Sequence, residues 1–456
     1  MYRDRDEAAG YRDRLNIAVV GSGISALSAA WLLSGRHQVT LYEADHRFGG
    51  HSHTVDTPSP GGPIPVDTGF IVYNEATYPN LTALFAHLKT PTKATEMTFA
   101  VSLDNGALEY SGTNFSGIFA QKRNLVSPRF WSMLRDTVRF YRNAPTEVAA
   151  SGLESLSAYL DRLNYGSAFR EDHLYPMAAA VWSMPANRVA DYPVAAFVNF
   201  CQNHGLLNLT GRPVWRTVDG GSRTYVRALG ESVQIGMKTD ARVRSIVRRP
   251  DGVTLHADNC APRHFDCVVI GAHADEALAM VDQPTSEERR ILGAFRYSSN
   301  EAILHCDSAL MPKRRAVWSS WNYHAERADR LAPMSVTYWM NRLQAIPDAY
   351  PRFVTLNPAR EPRADLTFHR EIYQHPVFDA AVIAAQDELW ALQGVGGVWY
   401  CGAYFGSGFH EDGLQAGLAA AEALGGVRRP WLVVNESARI KIGPVPVARS
   451  LGATAA

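Results

Sequence analysis

The start of the chain alternates between apolar runs of strand length and apolar positions at helical spacing. Residues 15–20 (LNIAVV) form a largely apolar run that is rich in β-branched side chains. A glycine-containing turn follows, and apolar residues then recur at helical spacing through Leu27, Ala30 and Leu33. Residues 38–42 (QVTLY) again favour a strand. This order predicts an α/β fold built on a strand, a tight turn, a helix and a second strand.

Residues 127–142 (SPRFWSMLRDTVRFYR) have the pattern of an amphipathic helix. Ser127 is a suitable N-cap and Pro128 suits the first helical position. The apolar face comprises Phe130, Met133, Leu134, Val138 and Tyr141, and the basic stripe beside it comprises Arg135, Arg139 and Arg142. The apolar face can pack on a domain core. Alternatively, the helix can lie at a membrane surface, with its arginines at lipid phosphates.

Composition and charge narrow the class of protein. A chain of 456 residues with 46% hydrophobic and 20% charged residues predicts two globular domains. Lys plus Arg and Asp plus Glu are both 45, so no net field favours a nucleic-acid partner. The five scattered cysteines include no C-x-x-C pair, which favours a reducing compartment. Without a secretory signal or a long apolar run, the predicted location is cytoplasmic or peripheral on the inner face of the membrane.

The first turn carries a nucleotide-binding motif. The string GSGISA follows the first strand directly, with Gly21 at the tight turn, Gly23 where backbone can approach a pyrophosphate, and Ala26 at the third motif position. Glu43 ends the second strand, 20 positions after Gly23, where a carboxylate can bind ribose hydroxyls. The pattern predicts a site for an adenine dinucleotide. An ordinary strand–turn–helix connection is the alternative.

The residues after Glu43 resemble a motif of FAD-binding proteins and not of NAD-binding proteins. The string E-x-x-x-R-x-G-G, following GxGxxA at this spacing, resembles the FAD signature of glutathione-reductase-type flavoproteins. That group includes amine oxidases, protoporphyrinogen oxidase and phytoene desaturases. The resemblance implies that Arg47, Gly49 and Gly50 approach the phosphates and ribityl chain of FAD. The amine oxidases that attach flavin covalently use a cysteine in a small-residue string that is missing here, so non-covalent FAD is expected.

Two distant segments resemble further parts of the same family. Residues 218–247 resemble its glycine-pair loop, helix and strand, which implies that Val243 lies at the adenine. Residues 398–424 resemble the C-terminal flavin motif, with a turn at Gly402 and a helix whose N-terminus points at the flavin. A helix N-terminus can stabilise the negative charge of reduced flavin. Glu411, Asp412 and Gly413 are assigned to the cofactor site on this basis, with simple N-capping as the alternative for the two acidic residues.

Four strings together resemble a narrower, bacterial branch of FAD-dependent oxidoreductases. They are GGHSHTVD, VDTGFIVYNEATYPNL, GRPVWRTVDGGSRTYV and GFHEDGLQAGL. Relatives in this branch include the flavin desaturase of methylated fatty acids in furan fatty acid synthesis and the flavin-like N-terminal portion of plant cyclopropane fatty acid synthases. The resemblance implies a desaturase that acts on modified lipids.

The same resemblance implies two interleaved domains. A discontinuous Rossmann-type FAD-binding domain is expected at residues 15–90, 215–294 and 395–427. An α+β substrate domain is expected at 91–214 and 295–394, and 1–14 and 428–456 are expected to be tails. Both substrate segments are rich in aromatic residues, which favours an apolar small-molecule or lipid substrate over a polyanion.

The expected chemistry is transfer of hydride from a substrate C–H bond to N5 of FAD. His410 is the candidate catalytic residue because its loop leads into the flavin-facing helix, although its role as a base, a substrate contact or a supporting residue stays open. No two histidines have the H-x-x-x-H spacing, so no metal site is predicted. No motif identifies the electron acceptor. The alternatives are a carotenoid, porphyrinogen or amine dehydrogenase, and a flavin-binding accessory protein of a lipid-modifying methyltransferase.

Overall fold

The computed structural model describes residues 14–148, 154–182, 189–203, 205–208, 211–232, 235–327 and 335–445. Of the leader expected at 1–14, all but Arg14 lies outside this part of the chain, as does the end of the expected tail after residue 445. By packing, the chain divides into two compact units. The first unit comprises residues 1–50, 228–293 and 387–456, and the second comprises 51–227 and 294–386.

The strands, in chain order, are β1 Asn16–Val20, β2 Gln38–Tyr42, β3 Thr54–Thr57, β4 Ile64–Asp67, β5 Tyr73–Asn74, β6 Thr92–Thr95, β7 Phe99–Leu103, β8 Leu108–Ser111, β9 Trp215–Val218, β10 Gly236–Lys238, β11 Val243–Arg249, β12 Gly252–Ala257, β13 Arg263–Phe265, β14 Cys267–Ile270, β15 Arg296–His305, β16 Trp321–Ala325, β17 Ser335–Trp339, β18 Phe353–Leu356, β19 Thr367–Val377 and β20 Val398–Tyr400.

The α-helices are α1 Ile24–Ser34, α2 Pro79–His87, α3 Phe115–Ile118, α4 Pro128–Glu147, α5 Leu156–Arg162, α6 Ser167–Phe169, α7 Tyr175–Trp182, α8 Val194–Asn203, α9 Arg223–Glu231, α10 Ala274–Met280, α11 Ser286–Leu292, α12 Met340–Leu343, α13 Ala380–Gln386 and α14 His410–Gly425. A π-helical turn, Arg170–Leu174, joins α6 to α7. Short 3₁₀ helices lie at Lys122–Val126, Ser308–Leu310, Arg315–Val317, Ala364–Leu366, Leu389–Leu392, Val395–Gly397 and Ala403–Phe405.

A parallel five-stranded sheet forms the centre of the first unit. Its strand order is β10-β2-β1-β14-β20, and every neighbouring pair is parallel. Strands β14 and β20 are buried along their full length, as expected where helices cover a parallel sheet. Helix α1 is the crossover between β1 and β2. The mixed α/β fold with a parallel sheet, predicted from the apolar pattern, is confirmed.

A seven-stranded sheet dominates the second unit, with the order β19-β15-β18-β17-β16-β7-β8. Its neighbours are antiparallel except for the parallel pair β16 and β7. The hairpin β3–β4 and the small sheet β5-β9-β6 belong to the same unit. The expected FAD-binding segments included residues 51–90 and 215–227, which by packing belong to this unit. The functional division into a cofactor and a substrate domain stays a prediction.

Helix α4 uses its apolar face for the core of the second unit. Ser127 accepts a hydrogen bond from the N–H of Phe130 (3.3 Å), and Pro128 occupies the first helical position, as the sequence predicts. Phe130, Met133 and Tyr141 are buried. Of the two hypotheses for this face, packing on a domain core is therefore the one that the structure supports.

Candidate cofactor site

The turn between β1 and α1 holds the first two motif glycines. Gly21 has a φ of +93°, which glycine adopts without strain, and its N–H donates to the carbonyl of Tyr42 at the end of β2 (2.8 Å). Gly23 is the N-cap of α1, and no heavy atom lies within 4 Å of where its Cβ would be. The turn thus leaves room beside the first N–H groups of α1, which have no partner within the helix. This arrangement suits an anion such as a pyrophosphate.

The third motif position brings α1 close to the sheet. Ala26 is fully buried, and a Cβ placed at Gly271, just after β14, would lie 2.6 Å from the Cβ of Ala26. The close approach of helix and strand depends on both small residues. Sequence reasoning missed Gly271, although a glycine directly after the apolar run CVVI was the available signal.

Glu43 lies beside the glycine turn. One of its carboxylate oxygens accepts a hydrogen bond from the hydroxyl of Ser22, and the other accepts from the N–H of Asp45 (2.9 Å). The Ser22 oxygen also accepts a hydrogen bond from the N–H of Gly49 (3.0 Å). The carboxylate therefore links the turn to the loop after β2. Its contact with the ribose of FAD stays a prediction.

The loop after Glu43 returns to the first motif. A Cβ at Gly50, whose φ is +55°, would lie 3.0 Å from the Cα of Gly23. Arg47 donates from Nη1 to the carbonyl of Gly50 (2.9 Å), and its Nε lies 3.3 Å from the carboxylate of Asp45. The structure thus brings the GxGxxA and E-x-x-x-R-x-G-G motifs together. Arg47 stabilises the loop through its contacts with Gly50 and Asp45. Contact of Arg47 and Gly49 with FAD stays a prediction.

Val243 belongs to the same neighbourhood. The N–H of Ala241 donates to the carbonyl of Glu43 (2.8 Å), and Val243, two residues later, opens β11 and is buried. The position is near the carboxylate predicted to bind the ribose. Its contact with adenine stays a prediction.

Helix α14 packs parallel to α1 along a line of glycines. A Cβ at Gly413 would lie 2.7 Å from the hydroxyl of Ser25, and a Cβ at Gly417 would lie 2.1 Å from the carbonyl oxygen of Ser25. A Cβ at Gly425 would lie 2.5 Å from the Leu33 side chain. The first turns of the two helices are therefore side by side, at the edge where the parallel strands end. Both N-termini carry partial positive charge, so this edge is suited to negatively charged groups.

Asp412 has a structural role at the start of α14. It is fully buried, accepts a hydrogen bond from the N–H of Phe409 (2.8 Å) and pairs with Nε of Arg439 (2.6 Å). Burial raises the pKa of Asp412, and the guanidinium of Arg439 opposes that rise. These contacts support the capping alternative for this residue. Glu411 is also buried and accepts from Nε2 of Gln415 (3.0 Å).

His410 is the first residue of α14. The residue is partly buried, and desolvation by the surrounding atoms lowers the pKa of His410 to about 3. The imidazole is therefore neutral throughout the physiological range. A side chain with so low a pKa is a poor match for a general base at neutral pH, which limits the roles that the sequence left open.

Two further positions complete this edge. Gly402 follows β20 in extended backbone, and a Cβ there would lie 2.3 Å from the Tyr404 ring, so the position has no room for a side chain. Cys401 is fully buried, and burial raises the pKa of its thiol to about 12. Such a thiol is not a nucleophile near neutral pH.

The first part of the expected tail is packed on the first unit. Trp431 stacks on Trp31 with ring centroids 5.7 Å apart, and the buried guanidinium of Arg429 pairs with Glu422 (2.8 Å). Together with the pair between Arg439 and Asp412, these contacts hold residues 428–440 against the helices. The sequence missed this role because the segment has neither helical nor strand periodicity.

Asp67 joins three distant segments of the second unit. It is buried and accepts hydrogen bonds from the hydroxyl of Thr54 (2.6 Å), the N–H and hydroxyl of Ser222 (2.9 and 2.7 Å) and Nε2 of Gln344 (2.8 Å). Burial raises the pKa of Asp67 to about 6, and the hydrogen bonds from Thr54 and Ser222 oppose this rise. The strings containing VDTGF and VDGGS therefore meet at one carboxylate, which sequence reasoning did not single out.

The parallel sheet, the glycine turn and the paired helix N-termini define a nucleotide-cofactor protein of the α/β class. The family model of flavin-containing amine oxidoreductases matches residues 24–349. The chain belongs to this family and is a flavin-dependent oxidoreductase with FAD as its cofactor. No curated protein matches the sequence.

Solved structures share the fold at low sequence identity. A CLA-producing fatty acid isomerase from P. acnes is 13% identical with a TM-score of 0.63, over 90% of this chain and 97% of that chain. A putrescine oxidase variant is 14% identical with a TM-score of 0.64, over 90% and 98% of the two chains. Cyclohexylamine oxidase from Brevibacterium oxydans is 15% identical with a TM-score of 0.61, over 90% and 99%.

Proposed function

We propose that the chain is a desaturase-type oxidoreductase that binds FAD non-covalently in a glutathione-reductase-type domain and oxidises a C–H bond of an apolar, lipid-like substrate. The observation that carries the cofactor placement is the pair of parallel helices whose first turns are held side by side by Gly413 and Gly417. Gly23, Glu43 and Gly50 lie at the same edge of the sheet. FAD supplies the hydride acceptor, and the chain supplies alignment and a positive electrostatic environment.

Non-covalent attachment is supported by the state of Cys401. Its thiol is fully buried and its pKa is raised to about 12, so it is not an attachment site. Precipitating the protein with acid should release all yellow colour into the supernatant as intact FAD. Colour that stays in the washed pellet would contradict this part of the proposal, and a protein purified without flavin would contradict all of it.

Apolar substrates are supported by the surface and by the fold. Phe115, Val126 and Trp131 are exposed by 72%, 82% and 49%, and Phe119 packs against both Phe115 and Trp131 at ring-centroid distances of 4.8 and 5.5 Å. Large exposed apolar groups that cluster in this way are typical of membrane or partner contacts. The fold also supports a fatty acid isomerase, so it accommodates acyl chemistry.

The aromatic patch comprises Phe115, Phe119, Val126 and Trp131. We propose this patch, and not the apolar face of α4, as the membrane contact. Within the described residues, no helix has both the length and the apolar character needed to cross a bilayer. Lys122 and Arg123 are exposed beside Val126, where they can meet lipid phosphates. Arg139, expected in the lipid-facing stripe, instead donates to the carbonyl of Leu163 (2.8 Å). We therefore propose that the protein is cytoplasmic and binds peripherally to anionic membranes through this patch.

Liposome sedimentation tests the membrane contact. The double variant Lys122→Glu/Arg123→Glu and the variant Val126→Ser should each release the protein from anionic vesicles at low salt, while Arg142→Glu, at an exposed position elsewhere on α4, should not. Equal sedimentation of all four proteins would contradict the patch.

Substrate class is tested by anaerobic reduction of the bound flavin. We expect methyl-branched or cyclopropane fatty acyl substrates to bleach the flavin absorbance, and putrescine or cyclohexylamine to leave it unchanged. Bleaching by the amines alone would assign the chain to amine oxidation instead. Comparison of lipid extracts from a deletion strain then identifies the accumulating precursor.

A further inference from the structure

Two histidines and a glutamate of the second unit lie together. Nδ1 of His53 lies 3.3 Å from Oε2 of Glu371, and Nε2 of His369 lies 3.6 Å from the same oxygen. One ligand atom from each of the three residues lies within 4.8 Å of the other two. Within the described part of the chain, this is the one group of three or more such side chains with that proximity.

The backbone explains why these side chains converge. His369 and Glu371 are two positions apart on β19, so both point to the same face of this edge strand. The carbonyl of His53 accepts a hydrogen bond from the N–H of Thr68 (2.9 Å), which fixes the segment that leads into β3. A search of the sequence for helical i, i+4 histidines cannot find a site assembled from an edge strand and a distant segment.

The distances suit a tetrahedral ion. Ligand atoms bound to Zn²⁺ at about 2.0–2.1 Å are about 3.3 Å apart at a tetrahedral site. The two measured separations from Oε2 are within a few tenths of an ångström of this value. In addition, Nε2 of His369 is buried and makes no hydrogen bond among the described residues. A buried imidazole nitrogen that lies 3.6 Å from a carboxylate oxygen and within 4.8 Å of a second imidazole nitrogen has the environment of a metal ligand.

We propose that His53, His369 and Glu371 form a Zn²⁺ site. Two imidazoles and one carboxylate are a zinc-binding set that leaves a fourth position for water. The side chains are exposed by 12%, 31% and 32%, so the site lies near the protein surface. The bound ion links the edge strand β19 to the segment before β3. The site uses none of the residues assigned to FAD.

A neighbouring hydroxyl competes for one of the ligand atoms. The hydroxyl of Tyr373, on the same face of β19, lies 3.4 Å from Nδ1 of His53 and 2.7 Å from the hydroxyl of Thr68. When an ion occupies Nδ1 of His53, the Tyr373 hydroxyl keeps its hydrogen bond with Thr68 alone. The competing explanation is a proton shared between Glu371 and the two histidines, which predicts no metal affinity.

Titration of the metal-stripped flavoprotein with Zn²⁺ and Co²⁺ separates the two explanations. We expect the wild-type protein to bind one ion per chain by calorimetry, and bound Co²⁺ to give the absorption of a four-coordinate ion in the red, where flavin does not absorb. His369→Ala and Glu371→Gln should each weaken Zn²⁺ binding by at least about 10-fold. The control His264→Ala, in which the lost histidine faces the carboxylate of Asp251 at 3.7 Å without a third ligand, should bind as the wild type does.

A second measurement guards against loss of folding. Zn²⁺ should raise the thermal midpoint of the wild type and of His264→Ala, and it should leave that of Glu371→Gln unchanged. Far-ultraviolet circular dichroism and flavin content verify that each variant is folded. Absence of ion binding by the wild type, or equal binding by the wild type and Glu371→Gln, would overturn the proposal and leave the cluster as a proton-sharing group.

Discussion

Gly417 in α14 lies directly against Ser25 in α1, so close that a methyl group at Gly417 would be 2.1 Å from the carbonyl oxygen of Ser25. No side-chain rearrangement can relieve this contact, because the obstructing atom belongs to helical backbone. The glycine therefore sets the distance between the helices. It also fixes which N–H groups the two first turns present at the carboxyl edge of the sheet.

Gly417→Ala should destabilise the first unit and reduce its affinity for FAD. Alanine favours an isolated helix over glycine by about 1 kcal/mol, but overpacking a tight contact costs about 1–3 kcal/mol, and here the backbone has to move. The gain in helix preference offsets part of this cost, so the free energy of unfolding from urea titration should fall by about 1–2 kcal/mol. Gly61→Ala, where nothing lies within 4 Å of the added methyl group, is the control. Equal stability of both variants would show that the helices can separate without cost.

Gly23→Ala should reduce FAD affinity without loss of stability. The φ of Gly23 is −64°, and no protein atom lies near its missing Cβ, so the folded protein accepts alanine. A methyl group there occupies the space proposed for the pyrophosphate. The dissociation constant of FAD, titrated into the apoprotein, should rise by at least about 10-fold, or about 1.4 kcal/mol. Unchanged affinity would show that the phosphates bind elsewhere.

Glu43→Ala should weaken FAD binding more than Ser22→Ala does. In the structure, the Glu43 carboxylate accepts a hydrogen bond from the Ser22 hydroxyl. We propose that it also accepts hydrogen bonds from the ribose hydroxyls of FAD. Loss of charge-assisted hydrogen bonds costs about 1.5–3 kcal/mol each, so affinity should fall by at least about 10-fold. If Ser22→Ala reproduces the full loss, Glu43 acts through the turn and not on the ribose.

The local parts of the fold and site could be predicted from the pattern of the residues, whereas the long-range parts could be predicted only where a family motif marked them. Residues 15–43 form a strand, turn, helix and strand because neighbouring residues determine each element. The convergence at Asp67 joins Ser222 and Gln344, which are 155 and 277 positions away. Hydrophobic periodicity contains no information on such pairings, and the apolar face of α4 was ambiguous for the same reason.

Asp67→Asn should reduce the pH dependence of stability. Burial raises the pKa of Asp67 to about 6 from an unfolded value of 3.8, so the folded protein holds this proton more tightly. Its contribution to stability is complete below about pH 4 and is lost as the pH rises through 6. A pKa difference of about 2 corresponds to about 3 kcal/mol. The wild-type free energy of unfolding, relative to that of the variant, should therefore fall by up to about 3 kcal/mol between pH 4 and pH 7, measured by urea titration. Parallel pH profiles would contradict the raised pKa.

The last prediction concerns the role of His410 in turnover. Burial lowers the pKa of this residue to about 3, so the neutral imidazole can exchange hydrogen bonds with substrate but is too weak a base to drive proton removal at pH 7. Loss of a general base typically costs about 100- to 10,000-fold in rate. Loss of one hydrogen bond costs about 0.5–1.5 kcal/mol, or about 2- to 13-fold.

We therefore expect His410→Ala to slow flavin reduction by about 10-fold and His410→Gln, which keeps a neutral donor and acceptor, to slow it less. Flavin content should be unchanged in both variants, and the wild-type rate should show no ionisation from His410 between pH 5 and pH 8. Anaerobic stopped-flow measurements across this range give both results. A loss beyond about 100-fold, with a step in the pH profile that disappears in the variant, would instead identify His410 as the base. An unaltered rate would show that His410 has only a structural role, at the N-terminus of α14.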